Sequence, residues 1–242
     1  MKNFIWMALL LAACSPVYVP NVRNAALFRG AGEVQASGHF GSSLDAQAAV
    51  SVTNHIGVMG SFNSVSRKTN DGDDKYLKHK FWEGGIGYYD NAPNKKIAYE
   101  VFGGYGRGEG TTYTSYNQLS GPDEIKATGK YKRFFIQPSV GSNNRIFNWI
   151  VSARISYVDF ENFSYFNDNG DLVIPYNDPV LFVEPAFTGR INFGQSPIYS
   201  QFQAGMSIPT QGDPVFDHQF MTLSIGFGLR LGGPKKLEEA EN

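Results

Sequence analysis

From residue 33 onward the chain alternates apolar and polar positions with a period of two, the spacing of a strand that has one face in an apolar medium. In residues 33–41, Val34, Ala36, Gly38 and Phe40 share one face, opposite Glu33, Gln35, Ser37 and His39. The cleanest run comes last, where Met221, Leu223, Ile225, Phe227, Leu229 and Leu231 oppose Thr222, Ser224, Gly226, Gly228 and Arg230. Such runs predict about ten strands, near 33–41, 45–53, 56–67, 76–90, 97–108, 131–142, 147–160, 180–193, 198–209 and 219–231. Most of them reach the roughly 9 to 11 residues that a tilted strand needs to cross a bilayer.

The links between these runs carry an independent signal. Short ones at 54–55, 91–95, 143–145 and 194–196 alternate with longer ones at 68–75, 109–130, 161–179 and 210–218; the first outer link, 42–44, is a short exception. An outer-membrane barrel sorts its connections in this way, with short periplasmic turns and longer outer loops. A soluble β-sandwich has no reason to sort loop length by parity. The alternation alone also fits a soluble barrel of the lipocalin kind, with the apolar faces inward and an apolar ligand inside.

Composition agrees with an all-β chain. Aromatics make up 14% and charged residues only 18%, with 27 glycines, so strand and turn residues outweigh helix formers. The net charge of −1 gives no basic field for nucleic acid. Mean hydropathy of −0.28 suits a barrel in which apolar residues take only alternate positions.

The amino terminus reads as an export signal: Lys2, a short apolar run over 4–11, then Ala12, Ala13 and Cys14, the only cysteine. These residues resemble the lipobox of bacterial lipoproteins. The resemblance implies diacylglycerol and acyl modification at Cys14, and Ser15 after it implies sorting to the outer membrane. The expected organisation is a signal peptide at 1–13, a lipidated periplasmic tether at 14–32, a barrel at 33–231 and a charged periplasmic tail at 232–242. The tether is expected because 15–32, with Pro16 and Pro20, shows no strand alternation.

The barrel region is similar to small outer-membrane β-barrel proteins. The stretch from Ala49 to Gly57 looks like their periplasmic hairpin, and Ser224, Gly226, Leu229 and Leu231 like their terminal assembly signal, although leucines stand where an aromatic usually closes the chain. The fold class is therefore an all-β, single antiparallel up-and-down transmembrane barrel of about ten strands. With a periplasmic amino terminus, the first strand runs outward. Trp82, Tyr88, Tyr99, Tyr105, Trp149 and Tyr157 fit interface girdles.

The polar faces carry Arg67, Glu83, Glu100, Arg133, Arg154, Glu184, Arg190 and Arg230, and in a narrow lumen these side chains of both signs are expected to pair. Phe102, Phe135 and Phe182 fall on the same faces, which suits a filled interior better than a pore. Pro138 and Pro185, inside strands, are read as β-bulges.

Catalysis is not expected. His39, His79 and His218 fall near outer strand ends and His55 in a periplasmic turn, but no serine occupies a nucleophile elbow. Residues 70–74 and 167–171 group Asn, Asp and Gly without the spacing of a calcium loop, so no metal or other cofactor is assigned. Residues 111–117, rich in Tyr and Thr, make a plausible contact surface. The function read from sequence is a lipid-anchored barrel with a plugged lumen and a structural or binding role through its outer loops. Its expected partners are outer-membrane lipid, the barrel-assembly and lipoprotein-sorting machineries and an unidentified loop ligand. A lipid-tethered soluble barrel and a narrow pore are the alternatives.

Overall fold

The computed structural model describes residues 16–69, 75–94, 96–118, 121–166, 171–175, 178–210, 214 and 216–233. Its strands are β1 (Val34–Gly41), β2 (Leu44–Ser51), β3 (Ile56–Thr69), β4 (Lys75–Asn91), β5 (Ile97–Gln118), β6 (Gly121–Ser142), β7 (Phe147–Phe166), β8 (Leu172–Val173), β9 (Val180–Asn192), β10 (Ile198–Met206), β11 (Ile208–Pro209) and β12 (Met221–Leu231). Strands β1 to β7, β9, β10 and β12 pair in that order, antiparallel throughout, and β12 returns to pair with β1 from Val34↔Leu231 to Gly41↔Ser224. The sheet has closed on itself. The result is a ten-strand up-and-down barrel, with β8 and β11 as two-residue additions on β7 and β9.

The alternation resolves into an inside-out arrangement. Phe227 on β12 is 55% exposed, whereas Arg154 on β7 and Glu184 on β9 are each 0% exposed. Val, Ile, Leu and Phe stand on the outer wall and Gln, Asn, Glu, Arg and His face inward. Only an apolar medium makes that wall favourable, since each exposed apolar Å² in water costs about 25 cal/mol. The eleven residues of β12 span roughly 36 Å along the strand, or about 25 Å of height after tilting, the thickness of a lipid-facing band. The soluble barrel with an apolar interior is thus not what the chain builds.

The wall is uneven in height. The hairpin of β5 and β6 has strands of 22 residues each, against 8 each for β1 and β2. Residues 109–130, expected as a long loop, are mostly strand, paired from Glu109↔Lys130 to Gln118↔Gly121. The contact surface expected at 111–117 is therefore part of β5. Above the membrane band neither face need be apolar, so alternation fades while Thr and Tyr still favour the extended backbone.

The prolines also differ from expectation. Pairing of β6 with β7 lapses at Gln137 and Pro138 without a change of register, and Pro185 pairs with Ala153 inside an unbroken ladder. Each proline forgoes one ladder hydrogen bond without adding a residue. The one register shift of β6 against β7 lies between Lys130 and Tyr131, which leaves Glu161 as the extra residue of β7.

Candidate functional site

The interior of the barrel is occupied by the chain's own amino-terminal segment. Residues 16–28 are buried throughout. At the long-loop mouth Val17 N–H and Tyr18 N–H donate to Asp217 O, at 2.9 and 3.2 Å, and Gln219 N–H donates to Tyr18 O. At the short-turn mouth Asn91 Nδ2 donates to Phe28 O and Arg29 Nε to Asn143 Oδ1. Gly57 lets the Phe28 ring approach, because a Cβ there would lie 2.5 Å from the ring edge. Gly32, at φ +78°, then turns the chain into β1.

This placement corrects the tether expected at 14–32. The segment does not hang below the barrel but runs down through it, from the long-loop end to the short-turn end. It shows no strand alternation because all of its sides meet the wall. Its path also corrects the expectation that the chain enters on the short-turn side, since Pro16 lies at the opposite mouth.

At mid-lumen the segment supplies the hub of a buried ionic cluster. Asn21 Nδ2 donates to Glu83 Oε1 at 2.7 Å, and its Oδ1 accepts from Arg133 Nη2 at 2.6 Å and Arg154 Nη1 at 2.9 Å. Glu83 takes Arg133 Nη2 at 2.5 Å on one oxygen and Arg154 Nη2 at 3.2 Å on the other. Tyr18 hydroxyl donates to Glu184 Oε1 at 2.9 Å and accepts from Arg133 Nη1 at 3.0 Å. Arg23 lies 3.7 Å from Glu184, whose oxygens also accept from Ser156 and Ser207. Arg133 and Arg154 stack on Phe81 and Phe135 at 4.1 and 4.5 Å. Every member is shielded from water, so each lost partner leaves a costly bare charge.

Beyond Tyr18, which bridges to His218, the backbone of the segment has no sheet partner among the described residues, and wall amides take that part. Gln203 Oε1 accepts from Arg23 N–H at 2.7 Å while its Nε2 donates to Arg23 O at 3.0 Å, as a neighbouring strand would. Gln47 Nε2 donates to Val22 O, Gln137 Nε2 to Asn24 O and Gln35 Nε2 to Ala26 O. Asp45 and Glu100 accept from Val22 N–H and Leu27 N–H. Buried main-chain groups must be paired, and inward Gln side chains supply both halves of the pairing.

Above the cluster, Tyr131, Phe160, Phe163, Phe182 and Phe216 gather over Val17 and Tyr18, with Phe160 and Phe216 centroids 4.4 Å apart. Below it, Phe28 packs with Tyr89, Phe102, Phe135 and Met59.

The eight charged residues singled out from sequence do not form one network. Glu83, Arg133, Arg154 and Glu184 meet at the centre. Arg190 instead donates to Ala25 O at 2.9 Å and stacks on Tyr199, and Arg230 pairs with Glu33 at 3.1 Å near the short-turn end. Glu100 serves the backbone of Leu27, and Arg67 lies at the rim, donating to Ser42 O. Sequence reasoning missed Tyr18, Asn21 and Arg23, which belong to the segment.

His39 bonds with Ser37 and Gln201, and His79 bridges Asn63 and Tyr131, both deep in the polar interior. Residues 70–74, 167–170 and Cys14 lie outside the described residues. Among the described residues no group of three or more His, Cys, Asp or Glu side chains is placed to hold a metal ion.

No protein-family model matches this chain, and neither does any curated protein. Among solved structures, the translocator domain of autotransporter NalP from Neisseria meningitidis is similar over 96% of this chain and 94% of that one, at a TM-score of 0.49 and 10% identity. The inside-out wall and the closed ladder described above define an outer-membrane-type barrel without appeal to that likeness.

Proposed function

We propose that this protein is an outer-membrane barrel sealed by its own amino-terminal segment, lipid-anchored at Cys14, with a structural or binding role on its long-loop side. The observation that carries the reading is the occupied lumen. Residues 16–28 engage wall side chains from nearly all strands, which supports a lumen closed to solutes. An apolar carrier would need the opposite lining. The terminal pattern at Ser224, Gly226, Leu229 and Leu231 supports assembly by the barrel-insertion machinery.

The position of Pro16 bears on the anchor. Cys14 stands two residues earlier, within about 8 Å of chain, so acyl chains on it belong at the long-loop mouth. With short turns in the periplasm, that is the cell surface. The lipid then holds the segment's outer end in place, in addition to the barrel's own apolar wall.

The test is electrophoretic mobility of the membrane fraction in mild SDS, unboiled and boiled, for the native chain and for Cys14→Ala. A heat-dependent shift in both, with Cys14→Ala still in the membrane, is expected. Release of Cys14→Ala as a soluble protein with no shift would refute an integral barrel.

A further inference from the structure

The outer wall is charged on one side only. On β1, β2, β9, β10 and β12 no outward position carries a charge. On β4 to β7, toward the long-loop end, Lys78, Lys80, Arg107, Lys126, Lys130 and Lys132 face out, against Glu109, Asp159 and Glu161.

The order of these residues along the wall is informative. Tyr105, Phe134 and Tyr157 form a row across β5, β6 and β7, with Tyr105↔Phe134 and Phe134↔Tyr157 directly paired, and Trp82 packs on the edge of Tyr105. Such a row marks the edge of the apolar band, where aromatic rings sit at headgroup level. One rung further out, Arg107 and Lys132 are directly paired, two cations on adjacent strands. Like charges in that position repel.

Among the described residues Glu161 reaches both. It lies 3.6 Å from Arg107 and forms an ion pair with Lys132. Glu161 is the bulged residue of β7, so the one irregularity in that ladder places a carboxylate beside the cation pair. Lys80 and Lys130 stand on the next rung out. Asp159 stands opposite Lys132 on β7 and Glu109 between Lys80 and Lys130, so three carboxylates face these four cations and leave one positive charge over, with Lys78 and Lys126 lying further out.

We infer that Arg107 and Lys132, flanked by Lys80 and Lys130, form a binding face for the phosphate groups of a phosphorylated glycolipid in the surrounding leaflet. The inference rests on the membrane reading above, which supplies the height. At the level of the aromatic row a lipid's acyl chains lie against the apolar wall and its phosphates reach the next rung. Arginine and lysine match phosphate there by charge-assisted hydrogen bonds. Glu161 acts as a competing internal anion that keeps the cations in place before lipid arrives.

The experiment uses the full chain in zwitterionic detergent, titrated with lipid A and with the same lipid stripped of its phosphates, followed by intrinsic tryptophan fluorescence. The phosphorylated form is expected to bind at least tenfold more tightly, and increasingly weakly as salt is raised. The double variant Arg107→Ala, Lys132→Ala should lose at least tenfold in affinity, while Glu161→Gln should gain several-fold, a result that mere structural support would not give. Equal binding of the two lipids, or insensitivity to both variants, overturns the proposal. So does an acidic protein binding these residues in place of lipid. If the heat-dependent shift persists while lipid discrimination is absent, the barrel reading stands and only this inference falls.

Discussion

Glu83→Ala is expected to destabilise the barrel by about 3 to 5 kcal/mol, the cost of stranding buried charge. Glu83 accepts from two guanidinium groups and from Asn21, and all three side chains are sealed from water. Its removal leaves Arg133, Arg154 and Arg23 with Glu184 as the remaining carboxylate of their cluster. Water entering the vacated space would recover part of that loss but not the ion pairs. Glu83→Gln keeps a hydrogen-bond acceptor at the same place and should cost less. The urea midpoint in detergent micelles, read by tryptophan fluorescence, measures both. A Glu83→Ala midpoint equal to that of the native chain would mean that the cluster is not buried as described.

The second large effect concerns conductance. Deleting residues 16–30 removes Tyr18, Asn21, Arg23 and Phe28, and with them both aromatic clusters lose a central member. The vacated lumen is polar, lined by Gln35, Gln47, Gln137, Gln203 and the central Glu and Arg side chains. It should fill with water and pass small ions in planar bilayers. The native chain should give no such events. Because the deletion also removes packing, only material that keeps its heat-dependent gel shift counts, and Asn21→Gly with Phe28→Ala offers a milder opening within the intact segment. Native conductance equal to that of the deletion, or a folded deletion that stays silent, would contradict a sealed lumen.

Much of the barrel was legible in sequence because the membrane imposes alternation wherever a strand meets lipid. β12 could be read residue by residue from Met221 to Leu231. Legibility stopped where that constraint stopped. The tops of β5 and β6 stand clear of the apolar band, and there Thr111, Thr112 and Tyr113 look like loop residues. Pro138 and Pro185 suggested bulges, yet a barrel strand can lose one hydrogen bond without losing register. The real bulge at Glu161 has no mark in sequence.

The candidate site was legible only in part. The inward charges at Glu83, Arg133, Arg154 and Glu184 were visible from their parity, but their partner was not. Residues 16–28 have no periodicity, since a segment surrounded by wall has no solvent face. The signal that could have found it lies on the strands, in Gln35, Gln47, Gln137 and Gln203. Such amides are poorly explained by ion pairing and well explained by a guest backbone that needs both donors and acceptors. Arg67 shares the inward parity but sits at the rim, above the occupied region.

The threaded segment also constrains assembly. A chain closed around its own amino terminus either folds with the segment already in place, draws it in before β1 and β12 pair, or threads it lengthwise from the short-turn end afterwards. A lipid on Cys14 would have to reach the long-loop side by the same route.

The most direct test of the threaded lumen is thiol accessibility at Ala25, which is buried in the lumen beside Ile150. Ala25→Cys in a Cys14→Ser background gives a chain with one thiol, to be treated with a water-soluble maleimide in native detergent and again after heat unfolding; Val52→Cys, on the outside at a turn, serves as the labelled control. Protection of the Ala25→Cys thiol until the barrel unfolds is the expected result. Labelling in the native barrel as fast as at the Val52→Cys control would contradict it and return residues 16–28 to the role of a free tether.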